Sequence, residues 1–201
     1  MILMDFPIVS PYKNTEQFTT IQVQPFHMNS DIVSNMEMIL KQKVEKKCNK
    51  YGYIDKVYNI EDYQDGEMVN ENFNGAANFK VTYNCRMCLP IENTIIVTNV
   101  HSVNSELIIT TNGPIISFIP KENIESSIWD ISTDIKHKEK DLLLKPNDYV
   151  KIIIVRLKVN LNDTQIKTIG VLYDYASKEE KEKYFGSIVE EELDDDDNFI
   201  L

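Results

Sequence analysis

Cysteine, arginine, glycine and histidine are scarce in this 201-residue chain, at 3, 2, 6 and 3 residues, and tryptophan occurs once. Three cysteines, an odd number, give no secreted disulfide framework and point to a reducing compartment. The few glycines form no phosphate-binding loop, and no Gly-x-Ser-x-Gly or HExxH motif is present. No apolar run approaches the roughly 18 residues that cross a bilayer, and the start, MILMDFPIVSPYK, has no basic region leading into a long apolar stretch. An intracellular protein with no membrane partner is therefore expected. Positive charge is short as well. Lys and Arg number 21 against 32 Asp and Glu, a formal net charge of -11, which opposes nucleic-acid binding by bulk electrostatics.

What is present is a core-forming composition: 42% hydrophobic, 26% charged and 9% aromatic. Isoleucine (26) and asparagine (19) are abundant and alanine (3) rare, the bias of AT-rich codons. Residues 16–26 alternate polar and apolar until Pro25, which predicts a strand near a sheet edge. Asn29, Ser30 and Asp31 offer N-cap chemistry, and Ile32, Met36, Ile39, Leu40 and Val44 recur at helical spacing, predicting a helix over about 30–48. Gly52 can supply a left-handed turn beyond it. From Tyr53 the period changes to two: YIDKVYNI, a turn at Asp65-Gly66, a short EMVN segment, a turn at Asn74-Gly75, and the long run NFKVTYNCRMCL before Pro90. One helix against four strands makes a small α+β domain over 1–90.

Beyond residue 90 the helical signal fades. TIIVTNV (94–100), ELIITT (106–111), PIISFIP (114–120), DYVKIIIVRLKVN (148–160) and TQIKTIGVLYDYA (164–176) are five strand candidates, with a less regular stretch from Lys121 to Lys145 between the third and fourth. That spacing predicts a five-stranded closed barrel of the OB type over 91–176. Residues 177–201 contribute -7 of the net charge and end in an Asp run, so a disordered or weakly helical acidic tail is expected. The remaining -4 belongs to a nearly balanced body.

Four segments carry a family resemblance: VEKKCNKYGYI (44–54), FKVTYNCRMCLP (79–90), NGPIISFIPKENI (112–124) and IGVLYDYAS (169–177). In their order and spacing they resemble the larger stalk subunit of multisubunit DNA-directed RNA polymerases, the family that includes the larger archaeal stalk protein and the seventh subunit of RNA polymerase II. The composition and the acidic tail resemble a large DNA virus member, which would work in host cytoplasm and virion; a cellular member would work in the nucleus. The resemblance implies a tip domain with a truncated RNP-like sheet that docks to the polymerase core, then an S1-like OB barrel near the transcript. It implies no catalysis and no cofactor. Its partners would be the RNA polymerase core subunits, a smaller stalk partner and nascent RNA. One departure stands out: the turn HSVNSEL (101–107) has neither the Gly nor the following aromatic that relatives carry there, a ring on which an unpaired base could stack.

In the family's layout, residues 61–75 form the loops at the free end of the tip. Tyr63, Asp65, Gly66, Met68 and Phe73 are accordingly the candidate core contact, since exposed aromatic and apolar residues are common interface anchors. The alternative is that Tyr63, Met68 and Phe73 fold back as a local mini-core. Lys151, Arg156 and Lys158 on the fourth barrel strand, with Lys167 on the fifth, are the candidate RNA contact if they share a face; otherwise they are solvated surface lysines. The lysines of 41–50, Lys41, Lys43, Lys46, Lys47 and Lys50, either complement the helix C-terminus or meet an acidic partner surface. Cys85-Arg86-Met87-Cys88 reads as packed thiols, as half of a zinc site completed from Cys48, His27, His101 or His137, or as a redox pair. On a strand, Cys85 and Cys88 point to opposite faces, which opposes chelation. No metal site is expected, and the three histidines read as surface or turn residues. A free-standing S1-like RNA-binding protein is the alternative function.

Overall fold

The computed structural model describes residues 6–68, 74–104, 106–131, 135–182 and 184–185. The chain divides into two units: Tyr12–Leu89 with Val159–Thr164, and the described parts of Met1–Pro11, Pro90–Lys158 and Gln165–Leu201.

The first unit is a sheet with one helix. Strand β1 (Tyr12–Val23) begins four residues before the expected run and ends where Pro25 opens a 3-10 turn. It is the sheet's edge, as the proline predicts. Helix α1 (Ile32–Val44) is followed by β2 (Lys47–Asn49), β3 (Gly52–Tyr63), β4 (Glu67–Met68) and β5 (Ala77–Cys88). The order is β1-β5-β3-β2, with β4 also paired to β5. Every second residue of β5 from Ala77 to Cys85 joins Ile21, Val23, Met36, Leu40 and Ile54 in the core beneath α1.

One expectation about the helix is corrected. It stops at Val44 rather than about 48, because Lys46 takes a left-handed φ of 58° and its amide donates to Ile54 O at 2.8 Å, turning the chain into β2. Asp31 occupies the N-cap without a side-chain bond. Asn29, one of the three residues expected to do so, supplies that chemistry, its Oδ1 accepting from the Asp31 amide at 2.9 Å and from Asn35 Nδ2 at 3.1 Å. Gly52 does have a positive φ, 150°, but in the β2–β3 reversal. A Cβ there would lie 2.8 Å from Cys88 O, so the backbone of β5 runs where a side chain would be.

The second unit is the barrel. Strands β6 (Ile95–Val103), β7 (Leu107–Asn112) and β8 (Ile115–Pro120) form a meander, and β11 (Tyr149–Lys158) and β12 (Ile166–Tyr175) form the hairpin that closes it. The ring runs β11-β12-β8-β7-β6, with β12 parallel to β8 and β6 antiparallel to β11. An antiparallel meander can be closed into five strands this way only if the third and fifth strands run together, which is the OB arrangement. Ile108, Ile115, Ile119, Ile152, Ile154 and Leu172 fill the interior. Two buried hydroxyls meet there, Ser117 Oγ and Thr168 Oγ1 at 2.6 Å. The irregular 121–145 stretch contains a short hairpin, β9 (Trp129–Asp130) with β10 (Lys136–His137).

Gly52→Ala is expected to destabilise the protein by about 1–3 kcal/mol, since it combines an unfavourable φ with a backbone clash. Urea unfolding should show a lower midpoint at unchanged slope.

Candidate interaction surfaces

Strand β3 places Tyr63 opposite Val81 of β5, and its ring meets Phe79 edge-on at 6.4 Å between centroids. The Asp65-Gly66 turn folds over that same ring; a Cβ at Gly66 would come within 2.6 Å of it. Met68, in β4 opposite Ala77, remains 66% exposed. Tyr63 and Gly66 are thus drawn together by Phe79, Asp65 and Met68 face solvent, and Phe73 lies outside the described residues. Tyr63 is still 41% exposed, so the local contact leaves part of the ring open to a partner.

On the barrel, Lys158 lies directly opposite Lys167, and Arg156 opposite Ile169. Cross-strand partners share a face, so Arg156, Lys158 and Lys167 cluster on the outside. Among the described residues none of the three has an ion-pair partner. Like charges opposed in this way repel, and an anion lying across them would relieve the repulsion. Lys151 is separated from this cluster by two register shifts in β11. Its Nζ is held 2.9 Å from Glu180 Oε1, and its side chain is only 13% exposed. The four-residue stripe is therefore three residues and one neutralised neighbour.

Glu180 belongs to the start of the tail. Residues 178–182 and 184–185 are helical, and Ser177 and Glu180 form a capping box: the Glu180 amide donates to Ser177 Oγ at 3.1 Å and the Ser177 amide to Glu180 Oε2 at 2.8 Å. Ser-x-x-Glu at 177–180 was the available sequence signal for this helix start. Tyr184 is buried, its hydroxyl accepting from Asn112 Nδ2 at 3.2 Å. Phe185 meets Tyr149 edge-on, and Lys181 Nζ sits 3.8 Å above the Tyr149 ring. The acidic run at 194–197 lies outside the described residues.

The three thiols are buried. Burial pushes Cys48 and Cys85 up to about 11, and Cys88 higher still, so each stays protonated and weakly nucleophilic. Cys85 packs in the core beneath α1, whereas Cys88, three residues on along an unbroken strand, points the other way. Among the described residues no group of three His, Cys, Asp or Glu side chains is placed to hold a metal. His137 is not the surface residue expected from its polar context. It is 3% exposed, edge-on to Trp129 at 5.1 Å, with Nδ1 accepting from the Lys140 amide at 3.1 Å and Nε2 3.1 Å from Asp174 Oδ1. Lys46 is paired with Asp55 at 2.7 Å, and Lys41 with Glu37 at 2.7 Å. Lys47 caps the helix end, donating to Gln42 O and Lys43 O.

Burial raises Glu180, but the Ser177 amide and Lys151 outweigh it and hold its carboxyl below the ordinary 4.5. A depressed carboxyl contributes stability above its unfolded value and loses it as pH falls through the folded value. The protection factors of the Ser177 and Glu180 amides, which correct for the slower intrinsic exchange in acid, should therefore be high near neutral pH and fall below 4.5. Glu180→Gln should weaken that protection already at neutral pH and remove the acid step.

No protein-family profile matches the chain. A protein of Acanthamoeba polyphaga mimivirus, named "Putative DNA-directed RNA polymerase subunit", is 35% identical to it over 179 residues, which cover 85% of this chain and 90% of that one. Identity at that level, across both the sheet unit and the barrel, is shared descent, and this chain belongs to the family of that viral DNA-directed RNA polymerase subunit.

Proposed function

We propose that the protein is a non-catalytic, stalk-type subunit of a viral DNA-dependent RNA polymerase. The observation that carries this reading is the pairing of a 35%-identical relative named as a polymerase subunit with a one-helix sheet unit followed by an OB-like barrel, the element order of the stalk family. In this reading the sheet unit docks to core subunits through Tyr63, Met68 and the Asp65-Gly66 turn, with Phe73 completing the contact. Tyr63 and Met68 expose 41% and 66% of their surface, and burying that apolar area is the available driving force.

The barrel then faces the transcript and contacts its phosphates through Arg156, Lys158 and Lys167. Three cations on one face suit backbone tracking without base recognition. The body's charge of -4 leaves the cluster as a local feature in a mildly acidic protein, so contact with RNA in this reading depends on being held near it by the polymerase. The protein would work where the polymerase does, in host cytoplasm and virion.

Tagged full-length protein should recover the large polymerase subunits in stoichiometric amount, and a Tyr63→Ala, Met68→Ala variant should recover several-fold less. Recovery of the protein alone would favour a free-standing RNA-binding protein. Charge reversal at Arg156, Lys158 and Lys167 should lower the slope of log RNA affinity against log salt by roughly 2.

A further inference from the structure

The sheet of the first unit is only partly covered by its helix. Past Val44 a groove of about 350 Å3 opens beside β2, with the buried Ile54 and Tyr83 beneath it. Val44, Cys48, Ile54 and Tyr83 give it an apolar lining. One wall is the 159–164 turn, fixed to β2 by the Cys48 amide donating to Asp163 O at 2.7 Å and the Asn162 amide to Cys48 O at 2.8 Å. Three large apolar side chains at this groove remain open to water: Phe18 at 74%, Leu161 at 69% and Tyr51 at 43%. Isolated exposed apolar residues are ordinary, but three around one concavity are the pattern of a binding site.

Its charge is one-sided. Lys43, Lys47 and Lys50 line the groove, and among the described residues no acidic side chain does. Their internal partners are neutral: Lys43 donates to Thr20 O, Lys47 to the helix-end carbonyls, and Lys50 sits 4.6 Å over the Tyr51 ring. None of these removes the positive charge, as Glu37 and Asp55 do for Lys41 and Lys46. Three uncompensated cations beside exposed apolar side chains, in a protein of net charge -11, match an occupant with carboxylates beside an apolar anchor.

We propose that this groove binds a short acidic segment of a partner protein, its aromatic or aliphatic anchor seated against Tyr51 and Leu161 and its carboxylates on Lys43, Lys47 and Lys50. A nucleic-acid strand fits less well. The neighbouring depression that shares Phe18 and Lys50 is also lined by Glu16 and Asp62; a phosphate chain continuing past the groove would meet those carboxylates, whereas a peptide with one anchor ends before them. The proposal concerns a surface separate from the Tyr63 hairpin and the barrel cations, and its test needs no polymerase.

The full chain is titrated into a fluorescein-labelled peptide, Asp-Asp-Glu-Asp-Leu-Phe, and anisotropy is read at low and physiological salt. Saturable, salt-sensitive binding is expected, about tenfold weaker in each of Phe18→Ala, Leu161→Ser and Lys50→Glu. These exposed positions leave the fold intact, which circular dichroism checks. The peptide with Asn and Gln in place of its acids should bind at least about tenfold more weakly. No binding, or binding indifferent to the three variants, overturns the proposal. So does an oligouridylate that binds the full chain, is displaced by the peptide and is lost in Leu161→Ser, which would make the groove an RNA site. So, finally, does peptide binding that becomes much tighter when Asp194, Asp195, Asp196 and Asp197 are replaced by Asn, because the chain's own acidic end would then be the occupant.

Discussion

Strand β5 is the constraint on which the first unit depends. Its twelve residues, Ala77–Cys88, are hydrogen-bonded along β1 on one side and β3 on the other, and β4 pairs with it as well. Because side chains alternate along a strand, one register fixes both faces. Phe79, Val81, Tyr83 and Cys85 are committed to the α1 side, and every neighbour takes its facing from them. Tyr63 therefore arrives on the same side as Phe79. Tyr83 is buried on that side, and the lysine-lined groove opens above it, between the end of α1 and the 159–164 turn. A one-residue slip of β5 would bury Lys80 and Asn84 and expose the core, so the register is strongly enforced.

The charges follow a second logic, local neutralisation against local surplus. Arg86 is 2% exposed, and its guanidinium lies 4.5 Å from the Tyr12 ring and 3.8 Å from Asp55, which also holds Lys46. Lys151 is neutralised by Glu180, and Asp174 receives Lys140 at 2.8 Å. Against this background, two clusters of cations have no carboxylate partner among the described residues: Arg156, Lys158 and Lys167 on the barrel, and Lys43, Lys47 and Lys50 on the sheet unit. Surface charge without a partner is inexpensive in water, so these clusters cost the fold little and remain available to an anion.

Much of the architecture was legible in the sequence because it rests on periodicity and punctuation. The change from period 3.6 to period 2 near residue 50, Pro25 ending β1, and five β-branched runs with the long insertion after the third are local signals. The helix end was misplaced because Lys46, not a glycine, takes the left-handed turn, and its stabilising partner, Ile54 O, lies eight residues ahead. His137 looked polar because the rings that enclose it arrive by tertiary structure, Trp129 across the β9–β10 hairpin and Tyr175 from β12. The helix at 178 was obscured by its acidity, although the Ser177–Glu180 box was written in the chain.

The sequence by itself determined the longer elements, their order, the edge position of β1, the five barrel strands and the surplus of negative charge, all of which follow from neighbouring residues and backbone preference; β2, inside the expected helix, it did not. Only the tertiary structure decided which charges are spent. Lys151 pairs with a residue 29 positions away, whereas Lys158 faces another lysine across a hairpin, and nothing in the local sequence separates the two cases. The reason is physical: a strand's facing is set by hydrogen-bond register, and a β-bulge such as the one between Ile154 and Arg156 reassigns it without a strong sequence mark. The same holds for the groove, whose lysines and apolar lining come from β1, α1, β2, β3, β5 and the 159–164 turn and meet only once the sheet has formed.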